Sequence, residues 1–198
     1  MIIDTTYFNK SNDLKLPLAI SSPSSVATNN GYITDLIERV EKDVLLNALG
    51  YDLYKELSNA IGSLDPLPDA FDKLVNGFEK WEGLKNNHSL LAYRVVEVYH
   101  LEQIDQLAIS GVNKIDSEKS TNSDPSWRIS RANQTFIKKY QEGYLSRPIV
   151  YGNFTDYYGD SNPNQLSLFQ FLRENKSLFE SWSIEFFKCY ETKNSFGL

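Results

Sequence analysis

The run Ile33-Thr34-Asp35-Leu36-Ile37-Glu38-Arg39-Val40-Glu41-Lys42-Asp43-Val44-Leu45-Leu46-Asn47-Ala48-Leu49-Gly50 sets apolar residues at positions 33, 36, 37, 40, 44, 45 and 48. Steps of three and four residues place them all on one stripe of a helix that must face a core, and Gly50 is the natural stop. Asn29 and Asn30 stand just upstream, where a short side-chain acceptor can satisfy the free amides of a first turn, so the helix is expected to begin after them. Beyond the glycine the pattern restarts with Leu53, Tyr54, Leu57 and Ile61. It is closed by Gly62, Pro66 and Pro68, which predicts a helix, a kink and a second helix.

Working outward, Asp69 is placed to cap a third helix whose face reads Phe71, Leu74, Val75 and Phe78 toward Trp81, with Gly77 as a weak point inside it. The strongest helix should span about 89–110, with Leu91, Val95, Val98 and Tyr99 on its faces and Gly111 as its stop. Its apolar residues exceed one stripe, so it is expected to be central. Ile129, Phe136, Ile137, Tyr140 and Tyr144 mark another amphipathic helix ending before Pro148. Two more helical runs follow, Leu168-Phe169-x-Phe171-Leu172 and then Leu178, Trp182, Phe186, Phe187 and Tyr190. The fold class is therefore mainly α, a bundle of about four to five helices with an extended N-terminal arm and long loops. The expected organisation is an arm over 1–30, a bundle core over 31–148 with a polar loop at 112–126, and an aromatic loop with C-terminal helices over 149–198. The arm is read from Pro17, Pro23, the serines at 21–25 and the strand-like alternation of Leu14, Leu16, Leu18 and Ile20.

The chain has 198 residues, enough for one domain with a sizeable core, and its 41% hydrophobic and 23% charged residues match a folded globular composition. With 20 Lys+Arg against 26 Asp+Glu the net charge is −6, which argues against a broad phosphate-gripping face. No secretory signal or apolar run long enough to span a membrane is apparent, and the single cysteine, Cys189, fits a reducing compartment without disulfides. Aromatic residues make up 13% of the chain, the residue types enriched in buried interface centres, which favours assembly.

Catalytic signatures are missing. There is no Gly-rich phosphate loop and no dinucleotide fingerprint, and the two histidines, His88 and His100, do not complete a nucleophilic triad. Glu97-Val98-Tyr99-His100 has the Glu-x-x-His spacing of carboxylate-bridged metal bundles, but such sites need the pair twice plus two more carboxylates, and His88 lacks its own. No catalytic, cofactor or metal residue is assigned. Trp127, Arg128 and Arg131 form one local cluster of Trp and Arg, the types that dominate binding hot spots; the alternative is a helix start with a solvated basic face. Tyr151, Phe154, Tyr157 and Tyr158 lie in a Gly- and Asn-rich segment over 149–165 that is too aromatic to be merely solvated, so these seven residues are the interface candidates.

The strings Tyr32-Ile33-Thr34-Asp35 and Glu41 through Tyr54, the central helix ending in Gly111-Val112, Asn133 through Tyr144 with its Tyr-x3-Tyr spacing, and Ser167 through Leu172 followed by Trp182 carry a resemblance. Together they resemble head-tail adaptor (connector or neck ring) proteins of tailed phages that infect Bacteroidetes, the crAss-like group included. The resemblance covers most of the chain from about residue 30, on core and turn patterns. It implies a virion protein, made in the host bacterial cytoplasm and placed at the neck between capsid and tail. Its partners would be further copies of itself in a ring of about a dozen, the portal protein, and the tail or next neck-ring protein. DNA would pass through the channel without specific binding, no cofactor would be needed, and no membrane would be involved. The competing readings are a soluble α-helical binding module, such as a cytosolic regulator or partner-helix binder, and a metal-dependent helical enzyme resting on Glu97 and His100.

Overall fold

A computed structural model describes residues 1–16, 23–63, 66–109, 125–143 and 165–191, with the backbone alone at 10, 23–30, 104–109 and 125. The described residues are helical and contain no strand: α1 (Tyr7–Lys10), α2 (Pro23–Leu49), α3 (Tyr51–Ser63), α4 (Asp69–Asn76), α5 (Leu90–Ile109), α6 (Pro125–Gln141) and α7 (Leu168–Glu174). The mainly helical fold is as expected, with more helices than the four to five read from periodicity. No helix among the described residues is long and apolar enough to cross a membrane.

The stripe on α2 is the spine of the core. Ile33, Leu36, Ile37, Val40, Val44, Leu45 and Ala48 are all buried, none more than 5% exposed. Each Ile, Leu and Val among them contributes about 1.5–3 kcal/mol by leaving water. The helix starts earlier than its stripe, at Pro23, so Asn29 and Asn30 lie inside it and do not cap it. Proline suits a first helical position because its fixed φ is helical and its missing amide would have had no partner there. At the other end Gly50, at φ +77, donates its amide to the Leu46 carbonyl and accepts from Tyr54, so one residue ends α2 and begins α3. Leu53, Leu57 and Ala60 then bury one face of α3.

α5 packs against both α2 and α6, the central position its wide apolar surface implies. Leu91, Ala92, Val95 and Val96 are buried on different sides of it. The pairings Arg94 over the Phe136 ring and Glu97 with Asn133 show α5 and α6 to be antiparallel. Tyr32 and Arg39 of α2 both reach Glu102 near the far end of α5.

Several segments depart from the sequence reading. Residues 1–16 are not a free arm: Ile2, Ile3, Tyr7, Phe8, Leu14 and Leu16 belong to the core, and the Tyr7 hydroxyl donates to the Lys85 carbonyl at 2.8 Å. The rest of the expected arm is either the first turns of α2 or, at 17–22, outside the described residues. α4 stops at Asn76 because Gly77 takes φ +102, and the chain reverses through paired Phe78 and Trp81 instead of continuing as helix. Pro68, not Asp69, holds the cap position, and Asp69 pairs with Lys73 one turn on. α6 ends at Gln141, well before Pro148.

The last apolar run is not a helix but two 3-10 turns, Lys176–Leu178 and Ile184–Phe186. It wraps the C-terminal end of α2, whose last carbonyls have no partner within the helix. The Trp182 indole N–H donates to the Ala48 carbonyl at 2.9 Å and the Lys188 amide to the Asn47 carbonyl at 2.8 Å. α7 is fixed by a capping box, in which Ser167 Oγ accepts the Gln170 amide and the Gln170 side chain accepts the Ser167 amide.

The N-terminal segment is tied down by Glu41, whose two carboxylate oxygens accept the Ile2 amide at 3.0 and 2.8 Å. Burial raises the Glu41 pKa above the ordinary carboxylate value, and the bonds from the Ile2 and Ile3 amides only partly offset this. A raised folded pKa means that the folded chain holds the proton more tightly. The stability this supplies is present at low pH and is lost as pH rises through the folded value. Glu41→Gln keeps an acceptor for Ile2 and cannot ionise. Urea midpoints at pH 4.5 and 7.5 should therefore show the variant gaining on the wild type at the higher pH; an identical difference at both would refute this.

Candidate interaction surface

The first turns of α6 display the Trp–Arg cluster. Ile129, Ala132 and Asn133 are buried, so the helix carries Trp127 and Arg131 outward on the opposite side. Trp127 is 49% exposed, an unusual position for so large an apolar ring. The Arg128 guanidinium lies 5.9 Å from the Trp127 ring centre, and Arg131 Nη2 bonds Asp13 Oδ2 at 3.0 Å. That surface ion pair contributes at most about 1 kcal/mol, but it fixes the direction of Arg131. The cleft among Asn12, Asp13, Tyr93 and these residues measures about 10 Å³, room for about one water and far too small for a metabolite. It is an open surface and not a small-molecule pocket.

Trp127, Arg128 and Arg131 thus come together as expected. The other four candidates, Tyr151, Phe154, Tyr157 and Tyr158, lie outside the described residues, as does the polar loop up to residue 124.

Among the described residues, Glu97 and His100 are joined by no further set of metal-ligating side chains. Glu97 is fully buried, and its carboxylate accepts Arg94 Nη1 at 2.7 Å and Asn133 Nδ2 at 3.1 Å. A cation bound to Glu97 would sit beside a guanidinium that already supplies the positive charge. No group of three His, Cys, Asp or Glu suited to a metal occurs among the described residues. His100 Nε2 is buried without a hydrogen-bond partner among the described residues, and burial, then the Arg128 charge, lowers its pKa and favours the neutral ring. Burial also pushes the Cys189 thiol up to about 11, so it stays protonated near neutral pH and is a poor nucleophile.

A second surface escapes sequence reading. Tyr51, Ile184 and Phe186 are 67%, 45% and 45% exposed. Tyr51 follows Gly50 at the α2–α3 corner, where the Phe186 ring covers Gly50 so closely that an added Cβ would lie 3.0 Å from Cδ2, and Ile184 opens the same 3-10 turn as Phe186. The Phe186-Phe187 doublet signals only that one ring is out and one in. Its neighbour Tyr51 is distant in sequence and appears only after folding.

Two larger clefts have mixed polar and apolar linings. One of about 260 Å³ lies between α2 and α3 beside Glu38, Lys42 and Tyr54, and one of about 400 Å³ runs along α6 beside Gln134, Lys138 and Glu142. No protein-family model, curated protein or solved structure matches the chain.

Proposed function

We propose that this chain is a structural virion protein, a ring-forming head-tail connector subunit that docks beneath the portal, extends the DNA channel and joins head to tail. The observation that carries the reading is the half-exposed Trp127 with the Arg128 guanidinium near its ring and Arg131 one turn on, in the first turns of α6. A large aromatic ring flanked by guanidinium groups is the side-chain set that anchors protein interfaces. The sequence resemblance to phage adaptor proteins supplies the kind of assembly, and the −6 net charge suits a channel that DNA must traverse without sticking.

The test is the native mass of the purified chain, alone and mixed with the portal protein of the same phage. The expected result is a closed multimer of about a dozen copies on the portal, since head-to-tail contacts close when their rotation does. A chain that stays monomeric and ignores the portal would overturn the reading and favour the helical binding module. Trp127→Ala should weaken assembly by about 2 kcal/mol or more, roughly 30-fold, and leave the thermal midpoint nearly unchanged, because the ring is half outside the fold. Assembly at wild-type concentrations would show that Trp127 is not an anchor.

A further inference from the structure

We infer that Asn76 is a site of spontaneous deamidation gated by the end of α4: the closed end shields it, and the product holds that end open. The inference goes beyond the connector reading and does not depend on it.

The chain holds two Asn-Gly pairs, Asn30-Gly31 and Asn76-Gly77. A glycine after asparagine has no side chain to obstruct its amide nitrogen, which can then close on the asparagine side chain. The Gly77 nitrogen, after losing its proton to base, attacks Asn76 Cγ. The N–Cγ bond forms as the Cγ–Nδ2 bond breaks, and Nδ2 takes a proton from water and leaves as ammonia. Water then opens the cyclic imide at either carbonyl, giving aspartate or isoaspartate, and nothing is oxidised or reduced. Gly31 lies well inside the long α2, whereas Asn76 is the exposed last residue of α4.

The closed structure opposes each step. A helical side chain leans toward the N-terminus, away from the nitrogen that follows it. Asn76 Nδ2 donates to Asp72 Oδ1 at 2.7 Å, which holds the side chain in that direction. The Gly77 amide, which must lose its proton, donates to the Lys73 carbonyl at 3.1 Å. The chain after Trp81 locks both in place. Its Leu84 and Lys85 amides bond the Leu74 and Val75 carbonyls, and the Trp81 indole also bonds the Leu74 carbonyl. Gly83 comes so near that a Cβ there would stand 2.5 Å from the Gly77 nitrogen. Ring closure therefore waits for this corner to open, an event short of global unfolding.

The product does not fit the closed form. Aspartate removes the donor to Asp72 and sets two carboxylates one turn apart at a helix C-terminus, where negative charge is unfavourable. Lys73, the basic residue of that turn, is already bonded to Asp69 at 2.6 Å. Isoaspartate adds a carbon to the main chain beside Gly77. There even a Cβ on Gly77 would lie 2.9 Å from the Trp81 and Glu82 carbonyl oxygens.

The full chain is held at mildly alkaline pH, in buffer and in guanidinium chloride, and peptide mapping by mass spectrometry follows both asparagines. In denaturant both should convert at similar rates, each to a mixture of isoaspartate and aspartate. In buffer Asn76 should convert slower by about tenfold or more, because only the open fraction reacts. Gly83→Ala should return Asn76 toward its rate in denaturant and leave Asn30 slow. If circular dichroism shows that Gly83→Ala does not fold, Trp81→Phe takes its place, since it removes the indole bond to Leu74 and keeps a ring. Asn76→Asp should lower the thermal midpoint by about 2–4 °C and speed hydrogen exchange at the Leu84 and Lys85 amides.

No conversion in denaturant, or conversion to aspartate alone, would overturn ring closure at this site. Conversion as fast in buffer as in denaturant, or no faster in the opened variant than in wild type, would overturn the gate. Asn76→Asp with an unchanged midpoint and unchanged exchange would show that the product does not hold the end open.

Discussion

Arg94→Met is expected to destabilise the fold by about 3–5 kcal/mol, a large fraction of the 5–15 kcal/mol a domain of this kind holds in total. The reason is the environment of its partner. Glu97 is 0% exposed, and the Arg94 guanidinium, itself only 17% exposed, meets its carboxylate at 2.7 Å. The same guanidinium lies 5.4 Å from the Phe136 ring centre and 4.7 Å from that of Tyr190, so it joins α5, α6 and the C-terminal segment. Methionine keeps most of the stem's volume but removes the charge, leaving a carboxylate in a low-dielectric interior and two rings without their cation. The double variant Arg94→Met with Glu97→Leu should recover part of the loss, because it leaves no buried charge although the buried Asn133 amide loses its bond to Glu97. Urea unfolding checks both. A single variant within 1 kcal/mol of wild type, or a double variant no better than the single, would show that charge burial is not the cause.

That buried pair also shows what a sequence discloses. Arg94 and Glu97 are three residues apart on one helix, a spacing that brings side chains together, so their contact is legible. Asn133 completes the site from another helix, 36 residues away in sequence, and only the packing of α5 on α6 reveals it. The α2 stripe was legible because seven apolar positions sustain one period. The core residues of 1–16 were not, because Ile2, Ile3, Tyr7 and Phe8 fill a gap in the bundle without repeating at any period. Leu14 and Leu16 alternate like a strand, yet both are buried against helices. The run from Leu178 to Tyr190 shows the reverse error. Its four-residue spacing looks helical, but Leu178 and Phe186 are exposed, since the chain instead follows the unsatisfied end of α2. Local clusters such as Trp127, Arg128 and Arg131 survive folding as neighbours. The Tyr51, Ile184 and Phe186 corner exists only because Gly50 lets Phe186 approach.

Gly83→Ala should cost about 3 kcal/mol or more, although it adds one methyl group. Gly83 has φ +83, where a side chain is already strained. Its Cβ would stand 2.5 Å from the Gly77 nitrogen, 2.6 Å from the Asn76 carbonyl carbon and 2.7 Å from the Val75 oxygen. All three are backbone atoms, and none can swing aside. The Gly77 amide is held by the Lys73 carbonyl at 3.1 Å, while the Leu84 and Lys85 amides bond the Leu74 and Val75 carbonyls at 3.2 and 2.8 Å. Relief therefore requires the strand of chain after Trp81 to peel from the end of α4. That would break the Trp81 indole bond to Leu74 at 3.0 Å and its stacking on Phe171 at 5.4 Å. Thermal unfolding followed by tryptophan fluorescence should show a lower midpoint and a changed native spectrum. Gly62→Ala is the control: nothing lies within 4 Å of its added methyl, and alanine in that last turn of α3 should be neutral or stabilising by up to about 1 kcal/mol. If Gly83→Ala unfolds with Gly62→Ala, the close approach of the two backbones does not hold this corner of the bundle. If it falls well below, the glycine is fixed there by contact between main chains, and no larger residue can take its place without opening the fold.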